Sequence, residues 1–179
     1  MIYVFLADGF EEIEALATID VLRRAELSVT TVGVDKKEIV GAHNIKVLAD
    51  ISTLELRPAD AKAVVLPGGM PGTLNLEGSD TVQSTLEYAH KNGLLIAAIC
   101  AAPSILGHKG YLNGKNAVCY PGFEKELQGA RTSEMPVVRD GNIITAKGAG
   151  VAIDFGLEIV SALVSEEKAK TLKEVMQCQ

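Results

Sequence analysis

The residue best placed to do chemistry in this chain is Cys100. It ends the apolar run Leu94-Leu95-Ile96-Ala97-Ala98-Ile99 and is followed at once by Ala101-Ala102-Pro103. A thiol is thereby set where a buried strand stops and a helix begins. This is the logic of a nucleophile elbow, in which the reactive atom projects from a sharp turn and the next helix aims its first amides at it. Ala98 and Ala102, two positions either side, supply the small residues such a turn requires. A thiol at a helix N-terminus is favoured as thiolate, which predicts a pKa drawn down from about 8.5 into the range of roughly 3.5 to 7.5. The plainer alternative is a buried core cysteine.

A reactive thiol needs a group to manage its proton. Glu11, Glu12 and Glu14 follow the first apolar run directly. Glu11 and Glu12 fit the first turn of a helix, where acids complement the dipole. Glu14 shares a helical face with Phe10, Ala17 and Val21. A carboxyl on such a stripe is costly to ionise, so it is expected to keep its proton and donate it to a nearby thiolate. The turn Leu66-Pro67-Gly68-Gly69 can bring backbone amides close to a ligand, and the Gly69 and Ala101 N–H groups would form an oxyanion hole. No histidine is placed by sequence to act as a base for Cys100. His43 falls in a short β excursion, His90 near the end of a polar helix, and His108 two helical turns beyond Cys100, roughly 12 Å away.

The elements that must hold these groups alternate between strand and helix. Ile2 to Ala7, a helix over Glu11 to Ala25, and Leu27 to Val34 make a β-α-β opening. Asp8 and Glu11 have the spacing of a capping box, predicting a helix start at residues 9 to 11. Glu38 to Val40 and Ile45 to Leu48 read as a small antiparallel excursion, and Ala63 to Leu66 as a buried strand. Ser79 to Lys91 is a helix closed by Asn92-Gly93 ahead of the elbow strand. Beyond the elbow come a strand at Ala117 to Tyr120, a hairpin turning at Asp140-Gly141, a helix from about Val151 to Val164, and another over Ser165 to Met176. Alternating elements with strands apolar throughout predict an α/β fold with a mainly parallel sheet covered on both faces. Functional residues should then gather beyond the carboxyl ends of the strands.

Composition narrows the class. The chain has 179 residues, enough for one domain over 1–179 with a sizeable core, and 47% hydrophobic against 22% charged residues is a globular balance. No apolar run is long enough for a membrane helix, and the start of the chain lacks a basic leader, so a cytoplasmic location is expected. A net charge of -6 argues against tight nucleic-acid binding. Cys100, Cys119 and Cys178 are an odd set at unrelated spacings, giving neither a disulfide framework nor a metal pattern. No cofactor or metal is called for.

Four motifs, in one order, resemble the ThiJ/PfpI superfamily, in the branch of the Parkinson-disease-linked protein deglycase. They are Ala7-Asp8-Gly9-Phe10-Glu11-Glu12-Ile13-Glu14, Val64-Val65-Leu66-Pro67-Gly68-Gly69, Ala97-Ala98-Ile99-Cys100-Ala101-Ala102-Pro103 and Lys147-Gly148-Ala149-Gly150. The resemblance implies a flavodoxin-like three-layer sandwich, a homodimer, Cys100 as nucleophile and Glu14 as its carboxyl partner. It also implies glutathione-independent glyoxalase or deglycase action on small dicarbonyls or glycated substrates, with oxidative-stress sensing or chaperone action as the non-enzymatic alternative. The family often places a histidine before a proline after the elbow helix, where this chain has Tyr120-Pro121. Tyrosine, with a pKa of about 10, is no base near neutrality, which weakens a peptidase function most. Arg24 matches the family's first-helix arginine, and His43 stands at a second basic position near the dimer seam. Glutamine amidotransfer would want a late His-x-Glu pair, and no histidine follows His108.

Overall fold

A computed structural model describes residues 1–178 of the chain. Its strands are β1 (Ile2–Leu6), β2 (Val29–Gly33), β3 (Glu38–Val40), β4 (Lys46–Leu48), β5 (Ile51–Ser52), β6 (Ala63–Leu66), β7 (Leu95–Ile99), β8 (Asn116–Ala117), β9 (Arg131–Thr132), β10 (Val137–Asp140) and β11 (Ile143–Ala146). Its helices are α1 (Glu12–Arg24), α2 (Gly72–Glu77), α3 (Asp80–Lys91), α4 (Pro103–His108), α5 (Ala152–Leu163) and α6 (Glu166–Val175). Seven strands form one sheet in the order β10-β11-β7-β6-β1-β2-β5. Every neighbouring pair is parallel except β10 with β11, the expected hairpin at one edge.

The central strands are apolar on both faces because helices cover both. Ile2 and Val4 of β1 join Val65, Ala97, Ile99 and Phe155 in one core layer, whereas Tyr3 and Phe5 join Val64, Ile96, Leu86 and Ile105 in the other. The period-two alternation along each strand sorts these residues between the layers. Helices α1, α5 and α6 contribute to the first layer and α2, α3 and α4 to the second. The fold is thus the mainly parallel, doubly covered sheet the pattern predicts and the flavodoxin-like sandwich the resemblance implies. β1 sits where the chain reverses its direction of travel across the sheet, since β2 lies on one side of it and β6 on the other. Loops beyond β1, β6 and β7 therefore converge at the crevice where open parallel sheets hold their functional groups.

The first helix begins later than its sequence suggests. Glu11, not Asp8, is the N-cap, its Oε2 accepting from the Glu14 N–H at 2.7 Å. Asp8 instead receives the Val40 N–H and ion-pairs with Lys36, tying the loop after β1 to the β3–β4 region. The segment expected as a strand to Tyr120 is shorter, pairing only through β8. Helix α2 and strand β5 have no counterpart in the sequence pattern, being too short to show a period.

Candidate functional site

Cys100 stands at the tip of the elbow with φ of 65°, a left-handed conformation that a non-glycine residue holds only when its surroundings enforce it. Both its backbone groups are fixed. Its N–H donates to the Ala146 carbonyl at 2.9 Å, and its carbonyl accepts from the Tyr120 N–H at 2.8 Å. Strand β11 and the segment after β8 thereby lock the turn that aims the side chain.

The side chain faces three groups, one each from α1, the turn after β6 and the elbow itself. The Gly69 and Ala101 amides act on the sulfur to favour its ionisation, and the neighbouring Glu14 carboxyl acts to oppose it. Glu14 is 1% exposed on α1. Its Oε2 accepts from the Gly68 N–H at 2.9 Å, and the Ala149 N–H also faces the carboxyl. Sequence reasoning does not reach these two donors. The signal for Gly68 is its side chain, or lack of one: a Cβ there would lie 2.6 Å from Cys100 Cβ and 2.7 Å from Glu14 Oε2. Glycine alone lets the thiol and carboxyl close over this turn.

Burial raises the Glu14 pKa to about 7, against the pull of its hydrogen bonds, so the carboxyl holds a proton well above the ordinary carboxylate range. The Cys100 thiol is likewise pushed up, to about 12, by burial first and then by the adjacent Glu14 charge. This corrects the expectation of an acidic thiol set by a helix dipole. The helix α4 that follows has only 6 residues, and the desolvation it would have to offset is large. The two groups titrate as a pair. Below about pH 7 both are protonated; above it the Glu14 carboxyl ionises first, and the carboxylate so formed is the group able to take the thiol's proton, while the two amides at the sulfur lessen the cost of a thiolate.

The remaining candidates fall outside this contact. Tyr120 is half exposed, and its ring flanks Gly148, beside Glu14 Oε1, at the rim of the site. Arg24 lies at the far end of α1, paired with Asp20 at 2.6 Å, and is not brought to Cys100. His43 packs its Nδ1 2.8 Å from Glu12 Oε2. Glu12 is no solvated first-turn acid, as the sequence suggests, but a buried anchor. Its Oε1 accepts the His43 and Ile45 amides at 2.7 and 3.4 Å, clasping the turn between β3 and β4 to α1. Against the cost of burial, these bonds hold its carboxyl below the usual range, and the Glu12 partner raises His43 above its own. Glu11, Glu12 and His43 have ligand-type atoms within 4.8 Å of one another, but their polar atoms are largely committed to this clasp and to the cap. His108 is more than a solvated surface residue, since it bridges Glu77 and Glu126 and so joins α2, α4 and the segment after β8.

A parallel sandwich with a cysteine on a left-handed strand-to-helix elbow, met by a buried protonatable carboxyl and two converging amides, defines a flavodoxin-like protein with a cysteine-elbow site. The chain belongs to the DJ-1/PfpI family, whose profile matches residues 1–162. It is 38% identical over 170 residues to Protein dj-1beta of Drosophila melanogaster, covering 93% of this chain and 91% of that one. It is 31% identical over 163 residues to the glutathione-independent glyoxalase DJR-1.2 of Caenorhabditis elegans, covering 90% and 87% respectively. The solved structure of oxidized Toxoplasma gondii DJ-1 superposes with a TM-score of 0.94 at 32% identity, covering 98% of this chain and 97% of that one. Among the described residues no helix is long and apolar enough to cross a membrane.

Proposed function

We propose that this protein converts small dicarbonyls by covalent catalysis at Cys100, without glutathione. The observation that carries it is the buried Cys100–Glu14 pair, in which a carboxyl that exchanges its proton near pH 7 stands beside the nucleophile. Cys100 sulfur attacks the aldehyde carbon of a ketoaldehyde, forming a C–S bond while the carbonyl oxygen takes up a proton from Glu14. Gly69 and Ala101 amides stabilise the oxyanion as it develops. Glu14 then removes the proton from the carbon bearing sulfur and returns one to the neighbouring carbon, leaving a thioester of the 2-hydroxy acid. Water cleaves the thioester, releasing the hydroxy acid and restoring the thiol. The internal oxidation and reduction balance, so no external cofactor is consumed. A glycated amine would enter by the same first step, so deglycation shares the chemistry. The missing imidazole at Tyr120 leaves proton transfer to Glu14.

Methylglyoxal offered in buffer free of thiols and amines is expected to yield lactate in stoichiometric amount. Absence of lactate overturns the proposal. The same donors around sulfur would also hold a sulfinate, so the second function weighed is oxidative-stress sensing by Cys100. Oxidation that halts at Cys100 sulfinate under graded peroxide, without lactate formation, would favour it.

The chain is further proposed to act as one domain, in the cytoplasm, as a homodimer, with a small molecule rather than nucleic acid as its ligand. Ile13 is 57% exposed on α1, and with Ala17, Gly150, Ile153 and Met176 it lines a groove of about 370 Å³. A charge there would be buried at a dimer seam, so Ile13→Asp is expected to give monomers by sedimentation where wild type sediments as a dimer. A monomeric wild type would exclude the homodimer.

A further inference from the structure

The first turn of α1 and the turn after β6 are joined by hydrogen bonds that close into a ring. The Glu11 N–H donates to the Gly68 carbonyl at 2.9 Å, the Gly68 N–H donates to Glu14 Oε2 at 2.9 Å, and the Glu14 N–H donates to Glu11 Oε2 at 2.7 Å. Glu11 enters this ring twice, by its backbone and by its side chain. Gly69, the next residue, lies so close that a Cβ on it would sit 2.4 Å from the Glu11 nitrogen. The amide that faces Cys100 sulfur and the carboxyl that faces it from the other side are thus both indexed to one residue.

We infer that Glu11 is a positioning residue for the Cys100–Glu14 pair, its side chain holding the pair's carboxyl and the Gly68-Gly69 turn in register while keeping a negative charge beside Glu14. The inference rests on the Cys100–Glu14 pair being the reactive one. A helix cap needs only an acceptor atom, which Ser, Asn or Gln also supplies. A carboxylate at this place does more. Its charge opposes ionisation of Glu14, adding to the effect of burial, so the proton stays available to sulfur at neutral pH. The other groups that bear on it are few. Glu12 and Glu14 lie on α1 itself, Cys100 on the elbow, and the Tyr120 ring across Gly148. From the turn between β3 and β4 comes His43, whose Nδ1 is 4.0 Å from Glu11 Oε1 but 2.8 Å from Glu12 Oε2. The imidazole charge is therefore taken up first by Glu12, leaving Glu11 to act on Glu14.

The test is the pH dependence of Cys100 alkylation by iodoacetamide in the intact chain. Wild type, Glu11→Gln, Glu11→Ala and Glu14→Gln are compared, with peptide mapping to separate Cys100 from Cys119 and Cys178. Wild type is expected to gain reactivity through a limb near pH 7, where the pair gives up its first proton. Glu11→Gln, which can still accept the Glu14 N–H, should keep the limb and its plateau but move the limb to lower pH. Glu11→Ala should move it and also lower the plateau severalfold, because the side-chain link that closes the ring is then lost. A purely structural cap would lower the thermal midpoint without moving the limb. Superposition of the Glu11→Gln and wild-type profiles overturns the inference, with the pair still intact if Glu14→Gln abolishes the limb. A limb untouched by Glu14→Gln overturns the pair itself, and the role of Glu11 with it.

Discussion

Replacing Cys100 with serine is expected to cut lactate formation from methylglyoxal at least ~10²-fold, which is about 3 kcal/mol or more of lost transition-state stabilisation. The geometry explains why a hydroxyl cannot stand in. Glu14 gives up its proton near pH 7 and can then take the thiol's, leaving the charge on a sulfur that the Gly69 and Ala101 amides stabilise, and an alcohol is far less acidic than a thiol. Serine adds no strain to the elbow, since it has the same left-handed φ to adopt and both backbone bonds remain available to it. Retained thermal midpoint with lost lactate is the expected combination. A serine variant as active as wild type would move the chemistry away from this site.

Gly68→Ala should be nearly as damaging, although it alters no group that reacts. The added Cβ would meet Cys100 Cβ at 2.6 Å, Glu14 Oε2 at 2.7 Å and the Ile99 carbonyl at 2.9 Å. Ile99 is fixed in β7 and Cys100 is pinned through both backbone groups, so the Glu14 carboxyl must give way. It would lose the Gly68 N–H and its approach to sulfur while staying buried, at a cost of about 1–3 kcal/mol for the overpacking. Lactate formation should fall about as far as in Glu14→Gln, and the limb of Cys100 alkylation near pH 7 should disappear. Gly93→Ala is the control. Gly93 has φ of +65° but nothing within 4 Å of the place a Cβ would take, so that variant should lose about 1 kcal/mol of stability and no activity. Wild-type rates in Gly68→Ala would show that the close approach of the turn is not needed.

The order of the central strands and long helices could be read from hydrophobic periodicity alone, because each central strand is buried on both faces and each long helix on one. The elbow could be read as well, since an apolar strand ending in Cys100 between small residues admits few other conformations. Glu14 declared itself by its apolar helical face, and it is in fact among the most buried charged residues of the chain. Its neighbours Glu11 and Glu12 did not. All three are glutamates within one turn, and sequence gives them the same solvated appearance apart from the phase of the helix. Only the tertiary structure assigns Glu11 to the cap, Glu12 to the clasp on the β3–β4 turn and Glu14 to the thiol. The partners that do so stand 31 residues along the chain from Glu12 and 54 from Glu14, with Cys100 further still, and no local pattern records them.

The charge state of the site was likewise decided by the fold. A strand-to-helix cysteine suggests an acidic thiol because the dipole is a local property, legible from the chain. Burial is not local, and here it outweighs a short helix, raising thiol and carboxyl together so that the carboxyl ionises near pH 7 and the thiol stays protonated beside it. The sequence therefore determined which residues could react and roughly where they would stand. Which of them carries the proton, and which backbone amides receive the charge, follows only when α1, the turn after β6 and the elbow meet at one sulfur, because desolvation and hydrogen-bond geometry exist only in the packed chain.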